Sequence, residues 1–598
     1  MTPPMMGPGG RKGTHGSKGK PKNTFGVVMR LLTYIKSDIG LIAVALICVI
    51  LDSVASIAGS YMLRPIINNC ISEGANAKQL FIGLVCIAAV YVVGILAMYF
   101  QSKIMVSVSQ RAIFKIRGEL FSKMQSLPIS FFDRHTRGEL MSRYTNDVDT
   151  VGELLNNTVI RLISGIITIV GTLAVMIYTN IYLTLITVVM IPLFAKTAGK
   201  IAEKSSGYFR KQQSALGDLN GFIEETVTGQ KVVKVFCREK RSVEDFDKYN
   251  NDLRENQLKA QFLGGIMGPV MGNLSQVNYS LTAAVGAVLC IAGKFDIGGL
   301  TIFVNFSRHF SRPINELSMQ VTTLMSALAG AERVFSLMDE SPEADNGQIS
   351  DAPQVSENVE LKNVTFSYTS DKVILHDISL KAKKGDKIAF VGSTGAGKTT
   401  IINLLTRFYD VDSGEIMFDG ININDYKKDA LRSSIAMVLQ DTHLFSGTVM
   451  ENIRYGRLDA TDEEVINAAK TADAHRFIKH LPNGYDTVLS GDGSNLSQGQ
   501  RQLLNIARAA LSKAPVLILD EATSSVDTRT EQAINRGLEN LMEERTTFVI
   551  AHRLSTIKNS DMILVLENGK IIERGKHEEL LDTKGRYYEL YTGLKELD

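Results

Sequence analysis

Long apolar segments in the N-terminal half restrict this chain to membrane-spanning folds. A helix needs about 20 apolar residues to cross a hydrocarbon core about 30 Å thick. The sequence therefore predicts an all-α membrane domain. Five stretches meet or approach the length requirement: 39–63, 80–100, 159–178, 181–195 and 262–292.

A phosphate-binding loop is predicted in the second half of the chain. Residues 392–399 read GSTGAGKT, which fits G-x-x-x-x-G-K-[ST], and they lie between an apolar strand and an apolar helix. Backbone N–H groups of such a loop surround phosphate oxygens at a helix N-terminus. Lys398 is placed to contact the β- and γ-phosphates, and Thr399 to ligate Mg²⁺. The residues assigned to nucleotide binding here are Gly392, Ser393, Thr394, Gly395, Ala396, Gly397, Lys398 and Thr399.

Two acidic residues end a second apolar strand, VLILDE at 516–521. Asp520 is placed to hold Mg²⁺ through water, and Glu521 to polarise the water that attacks the γ-phosphate. Short strands alternate with helices from Val359 onward, which indicates an α/β domain. ATP and Mg²⁺ are therefore the predicted cofactors.

Topology adds a sixth span to the five apolar segments. Basic residues before the first span place the N-terminus in the cytoplasm, and an ATPase domain must also meet cytoplasmic ATP. Both ends on one side require an even number of spans, so the polar stretch 300–330 is counted as the sixth. The gaps 101–158 and 196–261 are helical in pattern and predict long cytoplasmic extensions. Their turns, near Phe131–Asp133 and Gly217–Gly221, are expected to touch the ATPase domain.

These features predict a multi-domain chain: an all-α six-helix transmembrane domain followed by an α/β P-loop domain. The boundaries are a basic disordered tail (1–36), the transmembrane domain (37–335), an acidic linker (336–358) and the nucleotide-binding domain (359–598). The tail lacks the apolar core of a signal peptide. The five scattered cysteines favour neither disulfides nor zinc and are expected to be buried. The net charge of +2 gives no reason to expect a nucleic acid as partner.

Polar and charged residues share one face of the sixth predicted span. Asp52 in the first span is a further charge at membrane depth and a candidate partner for an arginine. Intramembrane charges usually face the bundle interior or a water-filled cavity. Two interpretations stay open: the lining of a substrate cavity and structural pairing inside the bundle. The residues of this face are Asn305, Arg308, His309, Arg312 and Glu316.

Residues 495–502, NLSQGQRQ, resemble the signature of ATP-binding-cassette (ABC) proteins. Gln440 is similar to the Q-loop glutamine of that family, His552 to its switch histidine, residues 524–527 to its D-loop, and Tyr368 to its adenine-stacking aromatic. The six spans, the long cytoplasmic helices and the C-terminal cassette together resemble half-size ABC exporters of the bacterial multidrug and lipid-flippase type.

That resemblance implies ATP-driven export by alternating access across the cytoplasmic membrane, with the N-terminus and the cassette in the cytoplasm. Two cassettes of this family enclose two ATP molecules, so a second half-transporter is the implied partner, and a small molecule, lipid or peptide the substrate. The implied signature contacts to nucleotide on the partner chain are Ser497, Gln498, Gly499 and Gln500. The implied catalytic residues are Glu521, His552 and Gln440, and the implied Mg²⁺ ligands are Thr399, Gln440 and Asp520.

One position departs from the family pattern. The third signature residue is Gln498 where glycine is usual, whereas Glu521 is intact. This combination is similar to the catalytic-glutamate chain of heterodimeric multidrug exporters, so a heterodimer is favoured over a homodimer. A non-pumping ATP-gated channel or a ligand-sensing regulator is the alternative function, against which Glu521 and His552 favour turnover.

Overall fold

The computed structural model describes residues 23–69, 77–369, 371–440, 442–520, 528–550 and 557–593. The chain divides into two compact units. The first unit runs to Gln125 and resumes from Arg137 to Glu340, and the second comprises Ser126–Thr136 and Ser341–Asp598.

The described residues of the first unit form helices, several of which are far longer than a bilayer is thick. The longest has 53 residues, which corresponds to about 80 Å at 1.5 Å per residue. The predicted cytoplasmic extensions of the spans are thus confirmed. The helices up to residue 338 are α1 (Thr24–Ile35), α2 (Ile39–Tyr61), α3 (Leu63–Ile67), α4 (Ala77–Gln125), α5 (Ile129–Arg134, in the second unit), α6 (Arg137–Ser142), α7 (Val148–Glu153), α8 (Val159–Thr179), α9 (Ile181–Thr228), α10 (Gln230–Val235), α11 (Glu239–Ile291) and α12 (Ile297–Met338). π-helical turns at Arg143–Asp147 and Leu154–Thr158 connect α6, α7 and α8.

Five helical stretches in the described part of the chain are long and apolar enough to cross a membrane. They match the five apolar segments of the sequence. The start of α12, Ile297–Ser307, is apolar but shorter than these stretches. The sixth span therefore stays a prediction, which is supported by the even number of spans that the topology requires. The five stretches are Thr24–Ile67, Ala77–Gln125, Arg137–Thr179, Ile181–Thr228 and Glu239–Ile291.

The second cytoplasmic turn is not at Gly217–Gly221, so that prediction was wrong. The helix α9 continues through both glycines, and the chain reverses at Gly229, through α10 and Cys237, whose φ is 50°. An isolated glycine costs a helix only about 1 kcal/mol. The packing of α9 along α11 outweighs that cost.

Two further expectations need correction. The disordered tail predicted for residues 1–36 extends too far, because helix α1 begins at Thr24 with Asn23 as its cap. This helix buries Val27 and Leu31. Residues 1–22 lie outside the described part of the chain. The cysteines are also not buried: of the four described, two are half-buried and two exposed, and Cys70 lies outside. A thiol tolerates such sites because lipid-facing and turn positions require no packed neighbour.

Charged groups connect distant helices of the first unit. Asp296 accepts hydrogen bonds from Arg64 Nε (2.9 Å) and Asn68 Nδ2 (2.6 Å), and it caps α12 through the Gly299 N–H (2.8 Å). The end of α3 is thereby attached to the start of α12. In the same unit, the buried carboxylate of Asp147 pairs with Arg333.

The second unit contains an antiparallel sheet and a larger, mostly parallel sheet. The strand orders are β2-β1-β4-β5 and β12-β11-β3-β10-β9-β6, and β12 is antiparallel to β11. The strands are β1 (Asn358–Thr369), β2 (Lys372–Lys383), β3 (Lys387–Val391), β4 (Ser413–Phe418), β5 (Ile421–Asn422), β6 (Ile435–Val438), β7 (Gly447–Thr448), β8 (Val488–Leu489), β9 (Val516–Asp520), β10 (Thr546–Ile550), β11 (Met562–Glu567) and β12 (Lys570–Gly575). The helices described in this unit after α5 are α13 (Lys398–Leu405), α14 (Lys428–Ser433), α15 (Val449–Arg454), α16 (Asp462–Thr471), α17 (His475–Ile478), α18 (Gln498–Ser512), α19 (Thr528–Met542), α20 (His577–Thr583) and α21 (Arg586–Tyr591).

The parallel strands are buried on both faces. On β3, Ile388 and Phe390 enter one apolar core, while Ala389 and Val391 enter the other. Because successive side chains of a strand point to opposite faces, a strand buried on both sides is apolar over most of its length. This explains why KIAFV and VLILD read as unbroken apolar runs that end where the chain leaves the sheet.

Two aspartates of the first unit provide a matched test of this packing. Asp147 is buried against Arg333, whereas Asp149 pairs with Arg117 in an exposed position. We expect Asp147→Ala to lower the free energy of unfolding by about 1–3 kcal/mol, because it removes a charge-assisted pair from a buried site. Asp149→Ala should cost about 0–1 kcal/mol, as surface pairs do. Denaturant unfolding of the detergent-solubilised chain measures both, and equal losses would contradict this account.

Candidate nucleotide-binding site

The predicted nucleotide-binding and catalytic loops leave the larger sheet at a single edge. Strands β3, β10, β9 and β6 run parallel, and Phe390, Ile550 and Asp520 lie in register across three of them. The P-loop follows β3, Glu521 follows β9, the loop of His552 follows β10, and Gln440 follows β6. In open α/β sheets, ligands bind outside the carboxyl ends of the strands. Glu521 and His552 themselves lie outside the described residues.

The P-loop has a backbone that only glycine adopts readily. Gly395 and Gly397 have φ values of 81° and 106°, and Gly397 immediately precedes α13. A Cβ on Gly392 would lie 2.2 Å from the carbonyl oxygen of Leu566, and one on Gly397 would lie 2.6 Å from a methyl of Leu375. The loop therefore requires glycine both for its positive φ angles and for the close approach of neighbouring atoms. It leads directly into the N-terminus of α13, where anions are favoured.

Lys398 is held against the P-loop. Its ammonium donates hydrogen bonds to the carbonyl oxygens of Gly392 (2.5 Å) and Ser393 (3.0 Å). Burial lowers the pKa of Lys398, and the carboxylate of Asp520 opposes this by raising it. The strand register places Asp520, at the end of β9, at the same end of the sheet as Phe390, which lies just before the P-loop on β3.

Two adjacent threonines at the start of α13 have different environments. Thr399 is exposed, whereas Thr400 is buried and accepts a hydrogen bond from the Tyr368 hydroxyl (3.3 Å). The hydroxyl of Thr399, the carboxylate of Asp520 and the amide oxygen of Gln440 are hard oxygen donors, the type that Mg²⁺ prefers. The donor set thus fits Mg²⁺ as cofactor, with Thr399 rather than Thr400 available to it.

Tyr368 is fixed in position on α13. Its hydroxyl donates to Thr400 and accepts from Asn403 Nδ2 (3.1 Å). Its ring packs edge-on against Phe366 and Tyr409, at 4.9 Å between centroids in both cases. About a third of the residue stays exposed, which leaves part of the ring for a nucleobase.

Tyr409 is a residue that the sequence analysis missed. Its hydroxyl donates a hydrogen bond of 2.6 Å to Asp133 in α5. Burial and the Asp133 carboxylate both raise the pKa of Tyr409, which keeps the phenol protonated as the donor. The contact confirms the prediction that the turn near Phe131–Asp133 touches the ATPase half. An aromatic residue one turn beyond α13 carries no periodic or motif signal that would have identified it.

The signature residues lie at the N-terminus of α18. Ser497 and Gln500 form a reciprocal cap, with Ser497 Oγ accepting from the Gln500 N–H (3.3 Å) and the Ser497 N–H donating to Gln500 Oε1 (3.0 Å). Ser497 and Gln498 are exposed, and Gly499 is buried. The Gln500 side chain therefore stabilises its own helix, while the exposed residues remain free to meet a ligand at a helix N-terminus.

The segment after Gln440 is bonded to the signature helix. The Thr442 hydroxyl donates to Gln502 Oε1 (2.6 Å). Arg508, also on α18, donates to the carbonyl oxygens of His443 (3.1 Å) and Asn452 (3.0 Å). These hydrogen bonds join the segment that follows Gln440 to the signature helix. The sequence motifs predict the Q-loop and the signature, but they carry no signal for the residues that join them.

The charged face predicted for the sixth span is only partly described. The side chains of Arg308, His309 and Arg312 lie outside the described residues, although their backbone belongs to α12. Asn305 is half-buried, and Asp52 is half-buried near Gly94 of α4. The substrate-cavity interpretation and the pairing interpretation therefore both stay predictions.

Comparisons with known proteins place both halves of the chain. The profile of the ABC transporter transmembrane region matches residues 42–314, and that of the ABC transporter domain matches residues 375–524. An uncharacterized ABC transporter ATP-binding protein of Bacillus subtilis is 44% identical, covering 96% of this chain and 95% of the relative. An ATP-dependent lipid A-core flippase of Syntrophus aciditrophicus is 36% identical, with 94% of both chains covered. The structure of a bacterial Atm1-family ABC exporter with ATP bound is similar at a TM-score of 0.73 and 28% identity, covering 93% of this chain and 98% of that one.

The two threonines of α13 supply a test of the metal assignment. We expect Thr399→Val to lower kcat for ATP hydrolysis by about 100-fold or more, since Thr399 is a predicted ligand of the Mg²⁺ that would stabilise the transferring phosphoryl group. Thr400→Val removes the acceptor of the Tyr368 hydroxyl and leaves Asn403 as its donor, so it should raise KM for ATP with a much smaller effect on kcat. Steady-state ATPase assays across a Mg²⁺ titration distinguish the two. Equal losses of kcat would contradict the assignment.

Proposed function

Because this chain belongs to the ABC transporter family, as one half of an ATP-driven exporter of the cytoplasmic membrane, we propose that it pairs with a different half-transporter and exports an amphipathic or lipophilic substrate. The named exporters and flippases among its relatives do not favour a non-pumping channel or regulator. The proposed domains are a transmembrane domain (37–335), a linker (336–358) and a cassette (359–598).

The exposed signature is the observation that carries the dimer proposal. Ser497 and Gln498 lie exposed at the N-terminus of α18, while the P-loop is built at the edge of the larger sheet. In the proposed dimer, ATP on one chain's P-loop would lie against the other chain's signature. Because binding favours the closed pair of cassettes over the open one, ATP shifts the population of the transporter towards that state.

Within that dimer, each predicted site residue has a proposed role. The P-loop, from Gly392 to Thr399, would bind the phosphates, and Tyr368 would stack on the base. Mg²⁺ would supply charge stabilisation for phosphoryl transfer, held by Thr399, Asp520 and Gln440. Glu521 would polarise the attacking water, and His552 and Gln440 would sense the γ-phosphate.

Gln498 supports the choice of a heterodimer. A glutamine side chain at an exposed helix N-terminus occupies space where glycine would leave the backbone amides open to phosphate. The composite site that includes Gln498 would therefore be the weaker one, whereas the site of this chain's own Glu521 would be the active one. Such asymmetry suits two different chains, of which this one supplies the catalytic glutamate.

Export itself is tested by removing the catalytic carboxylate. We expect Glu521→Gln to abolish ATP-dependent accumulation of substrate in inverted vesicles, because the attacking water loses its base while ATP still binds. A fluorescent lipophilic dye serves as substrate, and vesicles with the unmodified transporter and without ATP set the background. Accumulation that survives the substitution would contradict hydrolysis-driven export.

The dimer proposal is tested at the signature. We expect Gln498→Gly to leave kcat nearly unchanged when the chain is co-purified with its partner, because the altered signature would face the weaker site. In a homodimer both sites contain Gln498, so the same substitution should raise kcat. ATPase assays on the chain alone and with a second half-transporter that lacks the catalytic glutamate distinguish these cases. Robust, transport-coupled activity of the chain alone would contradict the heterodimer.

A further inference from the structure

A cavity lined by cations lies between α9 and α11. We call it the cationic cleft, and its volume is about 1220 Å³. One carboxylate, that of Glu203, also lines it, and the wall on the α11 side is apolar, with Ile266 and Val270. In the part of the chain that the structure describes, the recorded ion pairs of this region lie elsewhere on α10 and α11. The four cationic side chains of the cleft are Lys200, Lys204, Arg210 and Lys211.

The depth of the cleft follows from helix geometry. The helix α9 starts at Ile181, and at 1.5 Å per residue it crosses a 30 Å core in about 20 residues. Lys200 therefore lies at the cytoplasmic edge of the hydrocarbon, and Lys211 about 16 Å beyond it. On α11, which ends at Ile291, Val270 lies about 30 Å from that end. The cleft thus begins at the level of the inner-leaflet headgroups and opens towards the cytoplasm.

The α11 wall of the cleft continues into the membrane as a polar face. Ile266 and Val270 are followed at spacings of three and four by Asn273, Val277 and Ser280, which puts all five on one side of the helix. The last three line a second cavity of about 430 Å³ and are exposed.

Polar side chains at membrane depth usually face a bundle interior or an aqueous cavity rather than lipid. Uncharged amide and hydroxyl side chains can form hydrogen bonds with a headgroup without binding it as tightly as a charged side chain would. The apolar cytoplasmic wall, the polar membrane face and the cations thus form one continuous surface on α9 and α11.

We propose that the cationic cleft is the entry site for an amphiphile with an anionic headgroup, a carboxylate or a phosphate, and that the polar face of α11 is the path of that headgroup. This proposal rests on the proposed export of an amphipathic substrate and specifies its charge. Four cations against one carboxylate attract an anion, and the adjoining apolar wall accommodates the start of its chain. The positive-inside rule explains why basic residues lie on the cytoplasmic side of the membrane. It does not explain why four of them line one cavity that has an apolar wall.

Binding of matched probes tests the charge of the ligand. The complete transporter with Glu521→Gln, which prevents turnover, is placed in phosphatidylcholine nanodiscs and titrated with a pyrene-labelled fatty acid. The methyl ester and the trimethylammonium analogue of the same chain length are the uncharged and cationic comparisons. We expect the acid to bind more tightly than both, and added salt to weaken the acid most, since salt screens exposed charges. Equal binding of acid and ester would overturn the proposal.

Substitutions locate the binding. We expect Lys200→Gln and Lys204→Gln each to weaken acid binding about fivefold, and the pair about 25-fold, with no change for the ester. Lys200→Arg should retain binding. Lys196→Gln is the control, because Lys196 lies one turn and about 6 Å from Lys200 along α9, is exposed and is outside the cleft lining. An equal loss in this control would show that only the general positive charge matters, which overturns the proposal.

Two further outcomes separate this proposal from the one on which it rests. Inorganic phosphate at the concentration of the acid should not displace it, and displacement would overturn the amphiphile class in favour of a simple anion. Dye export is measured on the transporter with Glu521 restored. If the dye is exported but the acid does not bind, the proposal of an anionic headgroup is wrong, whereas the proposed export function still stands. A failure of dye export in the unsubstituted transporter would instead count against the proposed function, since acid binding is measured without turnover.

Discussion

The catalytic half depends on the register of its parallel strands. Phe390, Ile550 and Asp520 lie side by side on β3, β10 and β9, so the loops that follow these strands all begin at one edge. That register is stable because both faces of the sheet are buried, which also favours strands that are mostly apolar. A one-residue slip would exchange the two faces of a strand and displace its loop. As a direct result, Asp520 at the end of β9 and the P-loop that follows β3 lie at the same end of the sheet, although they are far apart in sequence.

A different constraint governs the membrane half. Backbone amides in lipid must be satisfied within the segment itself, so every described crossing stretch is a helix, and cytoplasmic sequence with helical periodicity simply prolongs it. The helices can therefore extend far beyond the bilayer, as α4, α9 and α11 do. Long extensions leave room for surfaces that combine lipid-level and cytoplasmic positions, and the cationic cleft is one of them.

The sequence predicts some parts of this molecule far better than others. The P-loop, the strand that ends in Asp520 and the five apolar segments were predictable because each depends on a local pattern with a physical reason. The turn at Gly229 was not, because Gly217 and Gly221 carry the same local signal, and only the packing of α9 along α11 decides between them. Contacts such as Thr442 with Gln502 join segments about 60 residues apart, and no periodicity records which polar side chains will meet.

The link from nucleotide to membrane helices can be followed through one hydrogen bond. Tyr368, the proposed base-stacking residue, packs on Tyr409, and the Tyr409 hydroxyl is bonded to Asp133 of α5. Although α5 belongs to the cassette unit, the chain runs directly from it into α4 on one side and α6 on the other. A phenol bound to a carboxylate is a directional, charge-assisted contact, stronger than one between neutral groups. A movement of the cassette that preserves this bond therefore also moves α5, whose neighbours along the chain are the 49-residue helix α4 and the six-residue helix α6, and such a connection is a mechanical requirement for ATP to drive alternating access.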